Sequence, residues 1–203
     1  ANMFPLAFGL VPDEHIETVV SFIKTKGMGC SVYGAQYLLE ALYKYDEAEY
    51  AQQLITATDH DRTWWNMIES GSTMTLEAWD IKYKPNLDWN HAWGAAPANI
   101  IARNLWGIKP VSPGFLDVMI YPQLAQLNYS EVTVPTIKGP IFAKFRKVDE
   151  LGLVFEILLP ESMTGQFKIP EGEFEELVLN GEVLKNKITL KLNSGLNTIK
   201  LGF

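Results

Sequence analysis

The sequence predicts an α + β protein in two parts: paired antiparallel helices, then an antiparallel β-sandwich. Three observations carry this expectation. All six tryptophans, Trp64, Trp65, Trp79, Trp89, Trp93 and Trp106, stand before Gly107. Up to that glycine, apolar residues recur at the three- and four-residue spacing of helices. Beyond it, apolar and polar residues alternate in short runs divided by Gly, Pro and Asn, as strands joined by turns do. The expected division is therefore 1–106, helical, and 107–203, all β.

The helical part is read in order. Residues 3–10 are apolar but lack the basic stretch of a signal peptide. They read as the last turns of a helix ending at Gly9, as though the sequence starts inside a domain. Pro12, Asp13, Glu14 and His15 open the next helix, with acids in the first turn where the dipole favours them. Ile16, Val19, Val20 and Ile23 supply its apolar stripe, and Gly27 closes it. A helix over 33–45 carries Tyr37, Leu38, Ala41, Leu42 and Tyr45; Asp46 is then expected to cap a third, over 47–58. A short helix over 64–68 follows Asp61. The last helix is expected over 90–106, with Asn90 as its N-cap and small residues suited to close packing.

Strands are expected over 132–137, 141–148, 153–159, 165–169, 175–179, 187–192 and 197–201. Lys138-Gly139-Pro140 and Asp149-Glu150-Leu151-Gly152 mark turns, and Asn180-Gly181 is the strongest tight-turn signal. Residues 111–115 read as the connector between the two parts.

Composition narrows the function. The 203 residues are 47% hydrophobic, enough for a substantial core. A net charge of −7, without a Lys/Arg cluster, argues against a nucleic-acid partner. The apolar runs are too short to span a bilayer as a helix. Cys30 has no second cysteine to pair with, and His15, His60 and His91 lack zinc-ligand spacing. There is no Gly-rich phosphate loop, Ser31 and Ser72 lack a nucleophile elbow, and no cofactor is expected.

The residues with chemistry cluster between positions 72 and 96. Glu77 stands in Ser72-Thr73-Met74-Thr75-Leu76-Glu77-Ala78-Trp79-Asp80, and His91 in Asp88-Trp89-Asn90-His91-Ala92-Trp93-Gly94. Carboxylates cleave glycosidic bonds, and the apolar faces of sugars stack on tryptophan. The combination points to carbohydrate chemistry. Each residue also has a plainer reading. Glu77 alone fits a surface acid near a helix end, His91 a satisfied core histidine, and the tryptophans core packing. Trp79 and Trp89, nearest the acid and the imidazole, are equally balanced between pocket wall and core. Asp80 or Asp88 could supply a second carboxylate, and spacing does not decide between them. Asp59-His60-Asp61-Arg62 reads as a solvated helix terminus.

Four strings carry a resemblance. They are Gly34-Ala35-Gln36-Tyr37-Leu38-Leu39-Glu40-Ala41-Leu42-Tyr43, Thr75-Leu76-Glu77-Ala78-Trp79, Asn90-His91-Ala92-Trp93-Gly94-Ala95 and Leu105-Trp106-Gly107-Ile108-Lys109-Pro110. With the opening Ala7-Phe8-Gly9-Leu10-Val11-Pro12, their order resembles bacterial α-L-rhamnosidases of glycoside hydrolase family 78. The resemblance implies the terminal hairpins of an (α/α)6 barrel followed by a C-terminal β-sandwich. It implies hydrolysis of terminal α-L-rhamnose with inversion, Glu77 being the general base. It also implies that His91, in the Asn90-His91 motif, contacts the sugar; Trp79, Trp89 and Asn90 join it as candidate substrate-binding residues. The general acid and a rhamnose-binding aspartate would lie in the earlier part of the barrel, outside these residues.

Two departures bear on substrate preference. Ala78 stands where relatives often carry Arg, and the interval from Glu77 to His91 is short. The expected partners are a rhamnose-containing glycan or glycoside and the upstream part of the same polypeptide. Helix faces built for absent neighbours also predict a homodimer. Two rival readings are a six-hairpin glycosidase for another sugar and a non-catalytic carbohydrate-binding module. A sandwich without tryptophan argues against the second.

Overall fold

The structure, a computed structural model, describes residues 1–148, 152–185 and 187–202. The chain divides into two compact units, Ala1–Ile101 and Ala102–Phe203.

The first unit is helical. Helix α1 (Met3–Ala7) stops before Gly9, whose φ of 67° suits glycine. A 3-10 turn over Asp13–His15 leads into α2 (Ile16–Lys24), which buries Val20 and Ile23. The long helix α3 (Val32–Lys44) is capped by Ser31, whose hydroxyl accepts from the Gly34 N–H at 3.1 Å. It buries Val32, Ala35, Leu38, Leu39, Ala41, Leu42 and Tyr43. That is a broader face than the expected stripe, and Tyr37 and Tyr45 are only partly covered. Helices α1, α4 (Ala48–Thr56) and α6 (Ala96–Ile100) all pack on α3, which makes it the centre of the unit.

Helix α4 (Ala48–Thr56) is not capped by Asp46. Its N-cap residue is Glu47, and no side chain caps it. Asp46 instead sits at φ 61°, a left-handed position that short polar residues tolerate, and turns the chain out of α3. Helix α5 (Trp64–Glu69) is capped by buried Thr63, whose hydroxyl accepts from Asn66 N–H at 3.0 Å.

The helix expected over 90–106 is broken. His91 is extended, so Asn90 is not an N-cap. A 3-10 turn over Ala92–Gly94, helix α6 (Ala96–Ile100) and a π turn over Ile101–Leu105 take its place. Pro97 explains the restart, since a residue without N–H suits the first turn of a helix.

The second unit is a β-sandwich. One sheet has the order β1 (Lys109–Pro110), β2 (Asp117–Ile120), β6 (Thr164–Lys168), β9 (Thr189–Leu192). The other runs β3 (Tyr129–Val134), β4 (Ile141–Val148), β5 (Gly152–Leu159), β10 (Gly195–Gly202), β7 (Glu176–Leu179), β8 (Glu182–Leu184). The pairs are antiparallel except β2 with β6, which is parallel. Asn180 (φ 51°) and Gly181 (φ 88°) turn β7 into β8, as the Asn-Gly signal predicts. The turn expected at 149–151 lies outside the described residues. Residues 111–115 fall inside this unit, between β1 and β2.

The sandwich core is a run of aromatic rings. Trp106 contacts Phe145 at 5.9 Å, Phe145 contacts Phe155 at 5.8 Å, and Phe155 contacts Phe167 at 5.0 Å. All four are fully buried. Phe155 and Phe167 belong to different sheets, so their contact is the sheet-to-sheet packing itself. Trp106 is thus a core residue, and its indole N–H donates to the Ser130 hydroxyl at 3.0 Å. Among the described residues, no helix is long and apolar enough to cross a membrane.

Candidate active site

The site is built on the irregular stretch between α5 and α6. Two parts of it run side by side. Glu77 N–H donates to the Asp88 carbonyl at 3.0 Å, and His91 N–H donates to the Thr75 carbonyl at 2.8 Å. The Thr75 hydroxyl adds a bond to the His91 carbonyl at 2.7 Å. Leu76, Trp79 and Leu87 are buried and anchor the stretch. Glu77 follows buried Leu76 in this irregular stretch and is itself half-buried.

Trp79 does not present a stacking face. It is only 3% exposed, donates its indole N–H to the Cys30 carbonyl at 2.7 Å, and meets Trp64 edge-on at 5.0 Å. Trp64 in turn donates to the Gly94 carbonyl at 2.7 Å. This pair ties the Glu77 loop to the start of α3 and to the 3-10 turn. Trp79 is therefore a structural anchor of the site, and the expectation that it contacts sugar is revised. Burial pushes the Cys30 thiol up to about 11, so it offers no thiolate nucleophile.

Glu77 and His91 come together. The nearest polar atoms of Glu77, Asp88 and His91 all lie within 4.8 Å of one another. One Glu77 oxygen, Oε1, forms an ion pair with the Lys84 ammonium. The other, Oε2, accepts from the Asp88 backbone N–H at 3.0 Å. The Tyr33 hydroxyl lies 3.0 Å from His91 Nε2, and the two rings stack at 5.3 Å. His91 Nδ1 is 3.7 Å from Asp88 Oδ2. Trp93, 71% exposed, stands edge-on to Tyr33 at 5.3 Å and to His91 at 6.0 Å.

Electrostatics follow from these contacts. The Lys84 ammonium, then the Asp88 N–H, hold the Glu77 carboxyl below the usual carboxylate range, against a smaller opposing effect of burial. The Tyr33 hydroxyl adds to the same stabilisation of charge. Burial first, then the Glu77 charge, raises the Tyr33 hydroxyl. The Glu77 bond raises Lys84 in turn. At neutral pH Glu77 is an anion that can accept a proton but has none to donate. The same carboxylate–imidazole cluster has the makings of a cation site, but the cation on Glu77 is Lys84.

The two aspartates of this stretch take different places beside Glu77. One Asp88 oxygen lies within 4.8 Å of a Glu77 oxygen, nearer than the roughly 6.5–9.5 Å between carboxyl groups that flank an intervening water. Asp80 turns elsewhere, accepting from Asn66 Nδ2 at 3.1 Å and from Lys82 N–H at 3.0 Å. Trp89, 47% exposed, and Asn90, also exposed, occupy the loop between Asp88 and His91. Asp61 is not merely solvated: it pairs with Lys82 and accepts from the Tyr83 hydroxyl at 3.0 Å. Sequence reading missed Lys84 and Tyr33. Lys84 has a faint local signal, a cation seven residues after the acid and just before Pro85; Tyr33 has none.

Helical hairpins bearing a carboxylate–imidazole cluster are thus followed along the chain by a β-sandwich. Residues 1–105 match the bacterial alpha-L-rhamnosidase 6 hairpin glycosidase domain, and residues 107–183 match the bacterial alpha-L-rhamnosidase C-terminal domain. The chain belongs to the bacterial alpha-L-rhamnosidase family. An alpha-L-rhamnosidase of Formosa agariphila is 27% identical over 199 residues, 92% of this chain and 21% of that protein. The alpha-L-rhamnosidase structure from Dictyoglumus thermophilum superposes with a TM-score of 0.88 at 19% identity, over 100% of this chain and 25% of its own. A Streptomyces avermitilis alpha-L-rhamnosidase, solved in complex with L-rhamnose, gives 0.82 at 20% identity, over 98% and 21%. The chain thus spans about a fifth to a quarter of these relatives.

Proposed function

We propose that this chain is the C-terminal part of a glycoside hydrolase that releases terminal α-L-rhamnose with inversion, Glu77 being the general base that activates water. The observation that carries the reading is the Glu77 carboxylate, kept ionised and 16% exposed beside the His91 imidazole. An anion in that setting takes a proton from water as the water attacks the anomeric carbon. His91 and the exposed Trp93 supply a polar contact and an apolar face for a pyranose. Trp89 and Asn90, exposed in the same loop, are the further substrate contacts of this reading. The proton for the leaving group comes from a carboxylic acid elsewhere in the full-length polypeptide, since Asp88 is too close and Asp80 is turned away.

The test is Glu77→Gln in the full-length protein with an aryl α-L-rhamnoside. Turnover is expected to fall about 10²–10⁴-fold while rhamnose binding persists. Wild-type turnover would remove Glu77 from the mechanism. Proton NMR of the first product reports inversion as β-rhamnose; α-rhamnose as the first product would overturn it. The 203-residue segment alone is expected to hydrolyse no rhamnoside.

A further inference from the structure

We propose that Lys84 is a positioning residue for Glu77, and that Tyr33 is the matching positioning residue for His91. The inference rests on Glu77 being the base and adds to that reading two residues that aim and charge the site.

The Lys84 placement is built. Lys84 lies on the loop between Asp80 and Asp88, which is held at several points. The Asp80 side chain accepts from Lys82 N–H, and the Asp80 carbonyl accepts from Tyr83 N–H at 3.0 Å. The Tyr83 hydroxyl donates to Asp61, and the Arg62 guanidinium lies 4.6 Å from the Tyr83 ring centre. Leu87 is buried, and its N–H donates to the Lys84 carbonyl at 3.0 Å. Lys84 therefore reaches Glu77 from a fixed backbone. Its ammonium takes Oε1 while the Asp88 N–H takes Oε2, so the carboxylate is gripped at both oxygens. Each carboxylate oxygen carries a second lone pair besides the one these donors use.

A cation at this place has a mechanistic cost as well as a benefit. It weakens Glu77 as a base, because the charged form is favoured. It also keeps the base charged to lower pH and holds it in one orientation. Misplacement of a reacting group by about 1 Å costs on the order of 10²-fold, so orientation outweighs a modest loss of basicity. The groups facing the Glu77 carboxylate are Lys84 and Asp88 from its own loop, Tyr33 from α3, and His91. Lys84 is the cation nearest to it among them.

Tyr33 acts on the other partner. Its hydroxyl holds His91 Nε2 at 3.0 Å under a stacked ring, while the Thr75 bonds hold the His91 backbone. Substrate orientation through His91 thus depends on α3, far away in sequence.

The experiment is the pH profile of kcat/KM for Lys84→Met and Lys84→Arg in the full-length enzyme, with Glu77→Gln alongside. Lys84→Met is expected to move the acidic limb to higher pH and to lower kcat roughly 10- to 100-fold with little change in KM. Lys84→Arg is expected to restore the limb. A loosened loop lowers activity at every pH but does not move the limb, so an unmoved limb overturns the proposal. If Lys84→Met fails to fold, Lys84→Gln decides by the same readout, because it keeps length and a donor without charge. Tyr33→Phe is expected to raise KM severalfold with the limb in place, and an unchanged KM overturns its role. Full activity in Glu77→Gln would instead sink the base assignment beneath both.

Discussion

At the scale of single residues, the loop between α5 and α6 is organised by carboxylates that favour their charged form. Lys84 does this for Glu77 and the Lys82 backbone N–H for Asp80, while the Lys82 ammonium does it for Asp61, which precedes α5; each carboxyl lies below its ordinary value. A carboxyl group lowered on folding stabilises the native state above its unfolded value. That contribution is lost as pH falls through the lowered native value. The urea midpoint is therefore expected to hold steady from pH 7 to the ordinary carboxylate range and to drop below it. A midpoint that rose between pH 5 and pH 3 would contradict this arrangement. Glu77 was legible in the sequence because it sits between Leu76 and Trp79 and near His91. Lys84 and Tyr33 were not, because an ion pair and a hydroxyl–imidazole contact depend on how loops and helices pack.

At the scale of elements, Gly94 decides where the Glu77 loop lies. A Cβ there would come within 2.7 Å of the Leu76 carbonyl oxygen and of Thr75 Cβ. Those atoms belong to the run that presents Glu77. Gly94→Ala is accordingly expected to push that run outward, lowering kcat on the order of 10-fold while leaving most of the fold intact. Activity at the wild-type level, with wild-type circular dichroism, would show that the loop can yield. The other helices were readable from apolar periodicity, although the cap expected at Asp46 is not formed. The Ser31 cap of α3 and the Thr63 cap of α5 are added by the structure. The helix over 90–106 was misread for a local reason too. The small residues Ala92, Gly94, Ala95 and Ala96 suit a helix by spacing, but Gly94 serves the loop and Pro97 restarts the chain.

At the scale of the molecule, the helical unit leaves apolar residues uncovered. Phe8, Leu10 and Phe22 are exposed in this unit. The 203-residue segment is expected to self-associate through such exposed apolar residues, and added salt is expected to strengthen association by screening a net charge of −7. Light scattering at low and high salt provides the measurement, and a monodisperse monomer in both would refute the expectation. The sandwich needs no such partner for its core, since the run from Trp106 to Phe167 closes its own interior.

Sequence alone determined the change from helices to strands near Gly107, the order of most elements, the Asn180-Gly181 turn and the pairing of Glu77 with His91 as the residues to watch. All of these rest on periodicity, turn chemistry or short spacing, which act over a few residues. Tertiary structure alone decided that Trp79 is an anchor, that Asp88 crowds Glu77 while Asp80 leaves it, and that Lys84 and Tyr33 complete the cluster. The reason is physical: the charge of a carboxylate and the exposure of a ring are set by whichever groups packing brings within a few ångströms, and separation along the chain does not encode that distance.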